Sequence, residues 1–288
     1  MAASTVAGYS GRVPGYICAA CGVQHAPSTA PPAKCAICLD ERQYIPRDGQ
    51  RWTTLEALAR AGHHCEIREL EPGLTGIGAE PKMAIGQRAL LVQTPQGNLL
   101  WDCFGFIDER AIAAVRQRGG LQGIAMSHPH FYGVCVEWSQ AFGQAPIYIP
   151  HADRDWIMRP DPAVRYWTDS VVPVGDLRLI QCGGHFEGSA VLHWPAGAQG
   201  RGALLTGDSI TVVSDRRFVT FMRSYPNQIP MSGAMVRRIV ESVRPYRFDR
   251  IYGGWWDSVV NHDGMGAVER SADRYLRWIS GAADPASS

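Results

Sequence analysis

The apolar positions of this chain repeat with the period of a strand in some stretches and with the period of a helix in others. Residues 88–94 and 98–102 are apolar runs on either side of Pro95-Gln96-Gly97, a pattern typical of a hairpin. Asp108 favours a helix start and Gly119 a helix end, so a helix is predicted over 109–118. A buried strand, a helix and a further strand are then predicted over 121–126, 134–142 and 146–149. Helices that alternate with strands indicate a layered α/β domain.

The segment before this domain contains a shorter set of signals. Thr53-Thr54-Leu55-Glu56 has the pattern of a capping box and predicts a short helix that runs to Ala61. Pro72-Gly73 and the glycines through Gly78 predict a long loop. We therefore interpret residues 51–80 as a helix and a linker loop that lead into the main domain at residues 81–288.

Composition narrows the class of protein. The chain has 288 residues, 45% of them hydrophobic, which is enough for one large core with a small appendage. The formal net charge is +1, so the chain lacks the excess of basic residues expected of a protein that binds nucleic acid or an anionic membrane. The sequence shows neither an apolar run of about 20 residues nor a signal-peptide pattern at its first residues. We expect a cytoplasmic protein that acts on a small molecule.

Four of the 8 cysteines form two closely spaced pairs near the N-terminus. Cys18 with Cys21, and Cys35 with Cys38, are C-x-x-C knuckles, and two knuckles can complete a tetrahedral metal site. A segment this short has little core of its own, so a metal would supply its folding free energy. Residues 1–50 resemble a zinc ribbon or a rubredoxin-type module. Zinc is the expected metal, and iron in the same four-thiolate geometry stays open.

The predicted strand over 121–126 ends in the chain's most distinctive motif, Ser127-His128-Pro129-His130-Phe131-Tyr132-Gly133. Two imidazoles two residues apart, in a turn that leaves a strand, can point to the same side. Neutral imidazole is a common ligand of zinc and iron. His128 and His130 are therefore candidate metal ligands, on condition that further ligands follow at other strand ends.

The first half of the main domain resembles the metallo-β-lactamase superfamily. The order of hairpin, Leu-Leu-Trp-Asp, helix, strand and Ser-His-Pro-His is similar to that of the family, and Asp102 stands at the place of a structural Asp. The family motif is His-x-His-x-Asp-His. His128 and His130 match its first two histidines, whereas Tyr132 and Gly133 replace its Asp and its last His.

The second half continues the resemblance and then departs from it. Cys182-Gly183-Gly184-His185 is similar to the family's Gly-His turn, and Leu204 to Asp208 is similar to the strand that ends in the bridging Asp. The family commonly places another His after a late strand, where this chain has Trp255. Trp offers no lone pair to a metal. His262 lies a few residues further on and is a candidate substitute.

The resemblance implies an αββα sandwich and a single catalytic metal. His128, His130 and His185 match the ligands of the first metal, with Asp208 as a further ligand or neighbour, and the second set of ligands is lost. Three imidazoles with an open position suit a zinc ion that activates water. The implied activity is a metal-dependent hydrolase of an ester, thioester, amide or phosphoester, in which Asp208 accepts or orients a proton.

Two other functions are compatible with these residues. His128, His185 and Asp208 alone form a two-His-one-carboxylate set, which is typical of non-heme iron and would indicate an iron oxidoreductase. Loss of half the motif is also compatible with a binding protein that has no catalytic activity.

Tyr132 occupies the position of the family's Asp and has two interpretations. A phenol has an unperturbed pKa of about 10, so it cannot serve as a carboxylate-like base at neutral pH. It can donate a hydrogen bond to a developing oxyanion or a proton to a leaving group. Alternatively, its ring fills the volume of the lost second metal and packs against Trp255.

Overall fold

A computed structural model describes residues 13–282. The strands are β1 Ile17–Cys18, β2 Trp52–Thr53, β3 His64–Glu71, β4 Leu74–Glu80, β5 Ala89–Thr94, β6 Gly97–Trp101, β7 Gly123–Ala125, β8 Ile147–Pro150, β9 Val164–Trp167, β10 Ser170–Val171, β11 Arg178–Gln181, β12 Ala190–Trp194, β13 Ala203–Leu205, β14 Thr211–Val212, β15 Val219–Thr220, β16 Met222–Ser224, β17 Ile229–Pro230, β18 Arg250–Tyr252 and β19 Val259–Val260. The helices are α1 Ala36–Leu39, α2 Leu55–Arg60, α3 Glu109–Gln117, α4 Cys135–Ala141, α5 Gly197–Gly200, α6 Gly233–Val243 and α7 Gly264–Ile279, with 3-10 turns at Pro129–Phe131 and His151–Trp156. No helix within these residues has the length and apolar character needed to cross a membrane.

Two large sheets form the centre of the molecule. The first has seven strands in the order β3-β4-β5-β6-β7-β8-β9, antiparallel as far as β6 and parallel from β6 to β9. The second has six strands in the order β10-β11-β12-β13-β18-β19, with one parallel pair, β13 and β18. Loops at the ends of β7, β11 and β13 carry the candidate ligands.

Period-two alternation along the strands creates three apolar layers. Leu90 of β5 packs between the two sheets with Leu192 of β12, whereas its neighbour Leu91 faces the helical side of the first sheet. That side is covered by α2, α3 and α4, and the outer side of the second sheet is covered by α6 and α7. The order of layers is helix, sheet, sheet, helix, which confirms the predicted αββα sandwich. The four cysteines lie beside the helical layer of the first sheet.

Local sequence signals explain the helix between β6 and β7. The Asp108 carboxylate accepts a hydrogen bond from the backbone N–H of Ala111 at 2.8 Å, so it caps α3 as predicted. Its other oxygen accepts from the backbone N–H of Cys65 at 2.8 Å. One side chain therefore begins the helix and fixes β3 beside it.

The predicted capping box is displaced by one residue. Thr54, not Thr53, is the N-cap of α2, and its hydroxyl oxygen accepts from the backbone N–H of Ala57 at 3.1 Å. Glu56 instead pairs with Arg60 at 2.7 Å, one turn further along the helix. The helix ends before Gly62, which has a φ of +88° and thus the left-handed conformation that glycine accepts readily.

The predicted linker loop within residues 51–80 is wrong. This part of the chain forms β3 and β4, a long antiparallel hairpin that adds two strands to the first sheet. The glycines have a packing role: a Cβ at Gly76 would lie 2.6 Å from the Trp256 ring, and one at Gly78 would lie 2.9 Å from it. The Arg68 guanidinium lies 4.3 Å from the centroid of the same ring. The glycines let the indole lie directly against the strand backbone.

Gly76→Ala is expected to lower the free energy of unfolding by about 1–3 kcal/mol, because the added methyl group overpacks against the ring of Trp256. Urea denaturation measures this loss. In a Trp256→Leu background, which removes the ring, the same substitution should cost much less. An equal cost in both backgrounds would show that the ring is not the obstacle.

The N-terminal segment shares its core with the α/β body. Ile17, Val23 and Ile37 belong to the same buried cluster as Phe104 and Trp138 of the main domain. The backbone N–H of Gln24 also donates to the Gly133 carbonyl, 3.0 Å away and directly after the histidine motif. The predicted boundary at residue 50 stays a prediction, and the first 12 residues of that range lie outside the described part of the chain.

Candidate metal centres

His128 and His130 are carried by the turn that follows β7. Asp102, at the end of β6, accepts a hydrogen bond from the backbone N–H of Ser127 at 2.7 Å, which matches its predicted structural role. The 3-10 turn Pro129–Phe131 then brings both imidazoles to the same side, with ring centroids 5.1 Å apart. Local backbone geometry therefore prepares both side chains for one ligand.

The other two predicted site residues come from the second sheet. His185 lies in the turn between β11 and β12, and Asp208 follows β13. Gly207 has a φ of +50°, and a Cβ there would lie 2.3 Å from the Ser127 hydroxyl oxygen. This glycine lets the Asp208 loop approach the histidine motif closely.

The four side chains converge on one point. One donor atom from each of His128, His130, His185 and Asp208 lies within 4.8 Å of the others. His185 Nε2 is 3.3 Å from His130 Nδ1, and Asp208 Oδ2 is 3.5 Å from His128 Nε2 and 3.8 Å from His185 Nε2. A tetrahedral zinc ion with bonds of about 2.0–2.1 Å requires donor separations of about 3.4 Å. The spacing of the donors fits a single ion.

Neighbouring groups determine which nitrogens are available. His128 Nδ1 is 2.9 Å from the Ser127 hydroxyl, and His185 Nδ1 is 3.2 Å from the Met222 carbonyl. Both contacts direct Nε2 towards the common point, as outer hydrogen bonds do for metal-binding histidines. Within residues 13–282, His128 Nε2 and Asp208 Oδ1 are buried without a hydrogen-bond partner. Buried polar atoms of this kind are costly unless an ion or another group pairs with them, so the residues present fit a bound cation.

Burial controls the protonation of the cluster. Desolvation lowers the pKa of His128 and His130 well below the usual value and that of His185 to about 4, and the Arg42 cation adds to each effect. The imidazoles are therefore neutral at pH 7, the form that binds a metal. Desolvation also raises the pKa of Asp208 to about 7. A cation at the centre would favour its ionised form.

The positions of the missing second ligand set have structural roles instead. Gly133 has a φ of +47°, and a Cβ there would lie 2.3 Å from the Phe104 carbonyl oxygen, so only glycine fits this backbone. The Trp255 indole N–H donates to the Ile85 carbonyl at 3.0 Å. Among residues 13–282, the side chains that could hold a metal form two groups, the four cysteines and this cluster.

The structure corrects the expected surroundings of Tyr132. Its ring lines a narrow cleft with Val23, Ile149 and Met158, on the side of the helical layer, and its buried hydroxyl has no partner among the described residues. Phe131, not Tyr132, packs against Trp255, with ring centroids 5.8 Å apart. Phe131 therefore makes the contact with Trp255 that was expected of Tyr132, and the cleft lined by the Tyr132 ring includes none of the four residues of the histidine cluster.

His262, the candidate substitute ligand, lies elsewhere. Its side chain is 73% exposed, and its Nδ1 is 3.4 Å from Asp249. It does not belong to the metal-binding groups found within residues 13–282. The structure thus leaves it on the surface.

The four N-terminal cysteines form the second group. Their sulfurs lie within 4.8 Å of one another, with Cys18 3.6 Å from Cys38 and Cys21 3.8 Å from Cys35. A tetrahedral zinc ion with Zn–S bonds of about 2.3 Å requires separations of about 3.8 Å. Gln50 Nε2 donates to the Cys18 sulfur at 3.1 Å, and hydrogen bonding by Cys21 lowers the pKa of Cys18 to about 7. The geometry fits one structural ion.

Two residues near the histidine cluster were missed by sequence reasoning. Tyr225 follows β16, its ring centroid lies 5.8 Å from that of His185, and its hydroxyl donates to the Asp208 carbonyl at 3.1 Å. Arg42 reaches the His185 turn from the N-terminal segment. Neither residue belongs to a recognisable motif, so no local signal marks them.

Comparisons with known proteins place the chain in a family and identify its fold. No family model matches the sequence. The structure resembles a metallo-β-lactamase from Pontibacter korlensis, with a TM-score of 0.54, 12% identity and coverage of 74% of this chain and 99% of the other. It also resembles DIM-1 metallo-β-lactamase, with a TM-score of 0.56, 12% identity and coverage of 75% and 98%.

A relative in Bacillus subtilis (strain 168), the "Uncharacterized protein YmaE", is 47% identical over 270 residues, which are 93% of this chain and 98% of YmaE. An alignment of this length leaves little of either protein unmatched. This chain therefore belongs to the same family as YmaE, and its fold is that of the metallo-β-lactamases.

Proposed function

We propose that this protein is a metal-dependent hydrolase with a single catalytic metal ion. The observation that carries the proposal is the convergence of four buried donors, from His128, His130, His185 and Asp208, within 4.8 Å. Three of these side chains, His128, His130 and Asp208, each have a buried polar atom without a hydrogen-bond partner among the described residues. Structural neighbours named metallo-β-lactamases give support, since metal-dependent hydrolysis is a reaction this fold can carry.

The chain's own residues supply orientation and a proton acceptor. A bound zinc ion would act as a Lewis acid and lower the pKa of a coordinated water molecule to about 7. Asp208 has one oxygen facing the histidines and a second without a partner among the described residues, so its carboxylate can orient that water or accept its proton. Phe131 and Phe186 pack on the His128 ring, at 4.8 and 5.9 Å between centroids, and exclude bulk water from one side.

The substrate class we propose is a small ester, thioester, amide or phosphoester, because all four are cleaved by water activated at a single metal. The eight cysteines are unpaired in the structure, which supports a reducing cytoplasm as the place of action. Nucleic acids and membranes are not part of this proposal, since the net charge of +1 supplies no attraction to either.

A non-heme iron oxidoreductase is the alternative. Asp208 Oδ2 lies 3.5 Å from His128 Nε2 and 3.8 Å from His185 Nε2, so a two-His-one-carboxylate set exists. The third imidazole favours zinc hydrolysis: His130 Nδ1 is only 3.3 Å from His185 Nε2 and would be left unused by the smaller set.

Anomalous diffraction above and below the zinc and iron edges, combined with turnover of ester, thioester, amide and phosphodiester probes, tests the proposal. We expect one ion in the histidine centre and hydrolysis that a chelator abolishes and added zinc restores. Tyr132→Phe is the matched control: its ring lines a cleft that includes none of the four cluster residues, so loss of the hydroxyl should leave turnover unchanged. Iron with oxygen consumption would favour the alternative. An ion-free centre without turnover would favour a binding protein.

A further inference from the structure

Arg42 is a buried cation that connects the N-terminal segment to a metal ligand. Its side chain is only 5% exposed and comes four positions after Cys38. The guanidinium forms a two-point pair with Asp40, with N–O distances of 2.6 and 3.1 Å. Its Nη1 also donates to the backbone carbonyl of His185 at 3.2 Å and to Glu187 at 3.3 Å. The planar guanidinium thus connects the N-terminal segment, through Asp40, to the His185 turn, through the His185 carbonyl and Glu187.

The aromatic ring beneath Arg42 extends this contact to the histidines. The guanidinium carbon lies 3.9 Å from the centroid of Phe186, a distance typical of a strong cation–π contact. The Phe186 ring centroid is 5.0 Å from that of His130 and 5.2 Å from that of His185. Arg42 therefore packs on the Phe186 ring, which in turn contacts the imidazoles of His130 and His185.

The backbone of this segment is held by the element that orients His185. The Ser224 hydroxyl donates to the Arg42 carbonyl at 3.2 Å, and the Asn227 amide donates to the carbonyls of Glu41 and Gln43 at 2.9 and 3.0 Å. Ser224 ends β16 and Asn227 follows it, and the Met222 carbonyl of the same strand contacts His185 Nδ1. The position of residues 41–43 and the orientation of the His185 ring therefore depend on one another.

A second side chain makes the same connection on another side. Gln87 is buried, and its Nε2 donates to the carbonyl of Cys21 at 3.4 Å and to the carbonyl of His130 at 3.2 Å. One amide thus contacts the backbone of a cysteine ligand and of a histidine ligand. The two centres are linked at two places.

We propose that Arg42 is a positioning residue for the metal ligand His185, and that through it the four-cysteine centre controls the metal affinity of the histidine centre. This inference rests on the metal-binding part of the proposed function. Asp40 is the C-terminal cap of α1, the helix that carries Cys38. An ion on the cysteines holds this helix in place. The helix positions Asp40, Asp40 positions Arg42, and Arg42 positions the His185 turn. Loss of that ion releases the turn.

The positive charge of Arg42 by itself would weaken metal binding at the histidine centre, whereas a positioning role strengthens it. The direction of the change in metal affinity therefore distinguishes the two roles. A guanidinium near the histidines repels a divalent cation, so a purely electrostatic Arg42 would weaken metal binding and its removal would strengthen it. A positioning Arg42 strengthens binding, because a ligand held in its productive orientation loses little freedom when the ion binds. Arg42→Lys retains the charge and loses the two-point geometry, which separates the two roles.

The experiment measures zinc and cobalt affinity of the full-length protein by chelator competition, with the d–d spectrum of cobalt reporting the histidine centre separately from the thiolate centre. Arg42→Gln and Arg42→Lys are each expected to weaken binding at the histidine centre about 10–100-fold, the range for outer-shell partners of metal ligands. The cysteine centre should keep its ion. Arg51→Gln is the control, since Arg51 directly follows the N-terminal segment and its side chain, 68% exposed, forms an ion pair with Asp48. Unchanged or tighter binding in either Arg42 variant would overturn the positioning role.

Coupling between the centres is tested by Cys38→Ser and by Asp40→Asn. Both should weaken cobalt binding at the histidine centre, although neither alters a residue of that centre. Asp40→Asn leaves all four cysteines intact, so it reports the connection even where Cys38→Ser folds poorly. Normal affinity in Asp40→Asn would refute coupling through Arg42. A wild-type protein that binds no ion at the histidine centre would refute both this inference and the proposed function, whereas failure of the inference alone leaves the wild-type ion in place.

Discussion

His128→Ala is expected to remove the metal ion from the histidine centre and to lower kcat/KM by at least about 100-fold. That figure is the upper end of the loss caused by outer-shell partners, and His128 would itself bind the ion. Its Nε2 is 3.5 Å from Asp208 and buried without another partner in the described chain. Metal analysis of the purified variant and initial rates on a substrate found for the wild type are the measurements.

His193→Ala provides the matched control for this change. His193 is also a mostly buried histidine, but it lies in β12 and contacts the Arg247 carbonyl at 2.9 Å, away from the cluster. The control should keep its ion and its rate while losing some stability. A His128→Ala protein that still holds an ion in the histidine centre would contradict the assigned ligand set.

Replacement of Cys18 and Cys35 with serine is expected to remove one metal equivalent and to unfold the N-terminal segment. Removal of a structural zinc takes away binding free energy that contributes directly to folding. For a domain of this size, a loss of about 4 kcal/mol corresponds to a decrease in Tm on the order of 10 °C. Differential scanning calorimetry and metal stoichiometry measure the two effects.

Cys135→Ser tests whether loss of any thiol has the same result. Cys135 is a free, partly buried cysteine at the start of α4, outside both metal-binding groups. It should keep the full metal content with a small change in Tm. An unchanged metal count in the Cys18 and Cys35 double variant would refute a metal centre at the knuckles.

Elements whose signals are local could be predicted from the sequence. The hairpin of β5 and β6 follows from alternation around a turn, and α3 follows from the Asp108 cap. The β3–β4 hairpin could not be recognised, because glycines in a sequence predict a loop and only the folded chain shows the Trp256 ring packed on them. That contact joins residues 180 positions apart, and a local pattern contains no information about it.

In the candidate site too, some residues could be predicted from the sequence and others could not. His128, His130, His185 and Asp208 could be selected because each ends a predicted strand or turn in a family-like order, and the structure brings them together. Whether Phe131 or Tyr132 faces Trp255 depends on the 3-10 turn, which a residue pattern does not determine. Arg42 contacts the His185 carbonyl across 143 positions and belongs to no motif, so only the folded chain reveals it.

The apolar residues beside the cysteines limit how this architecture can evolve by exchange of modules. Ile17, Val23 and Ile37 belong to the same buried cluster as Phe104 and Trp138, so separation of the knuckles from the main domain would expose apolar side chains to water. Knuckles added by gene fusion to an existing domain would not fit its surface. Deletion of the knuckles from this protein would expose the apolar side chains that they cover. We therefore expect the knuckles and the main domain to be inherited together, because a change on one side of their common core requires a matching change on the other.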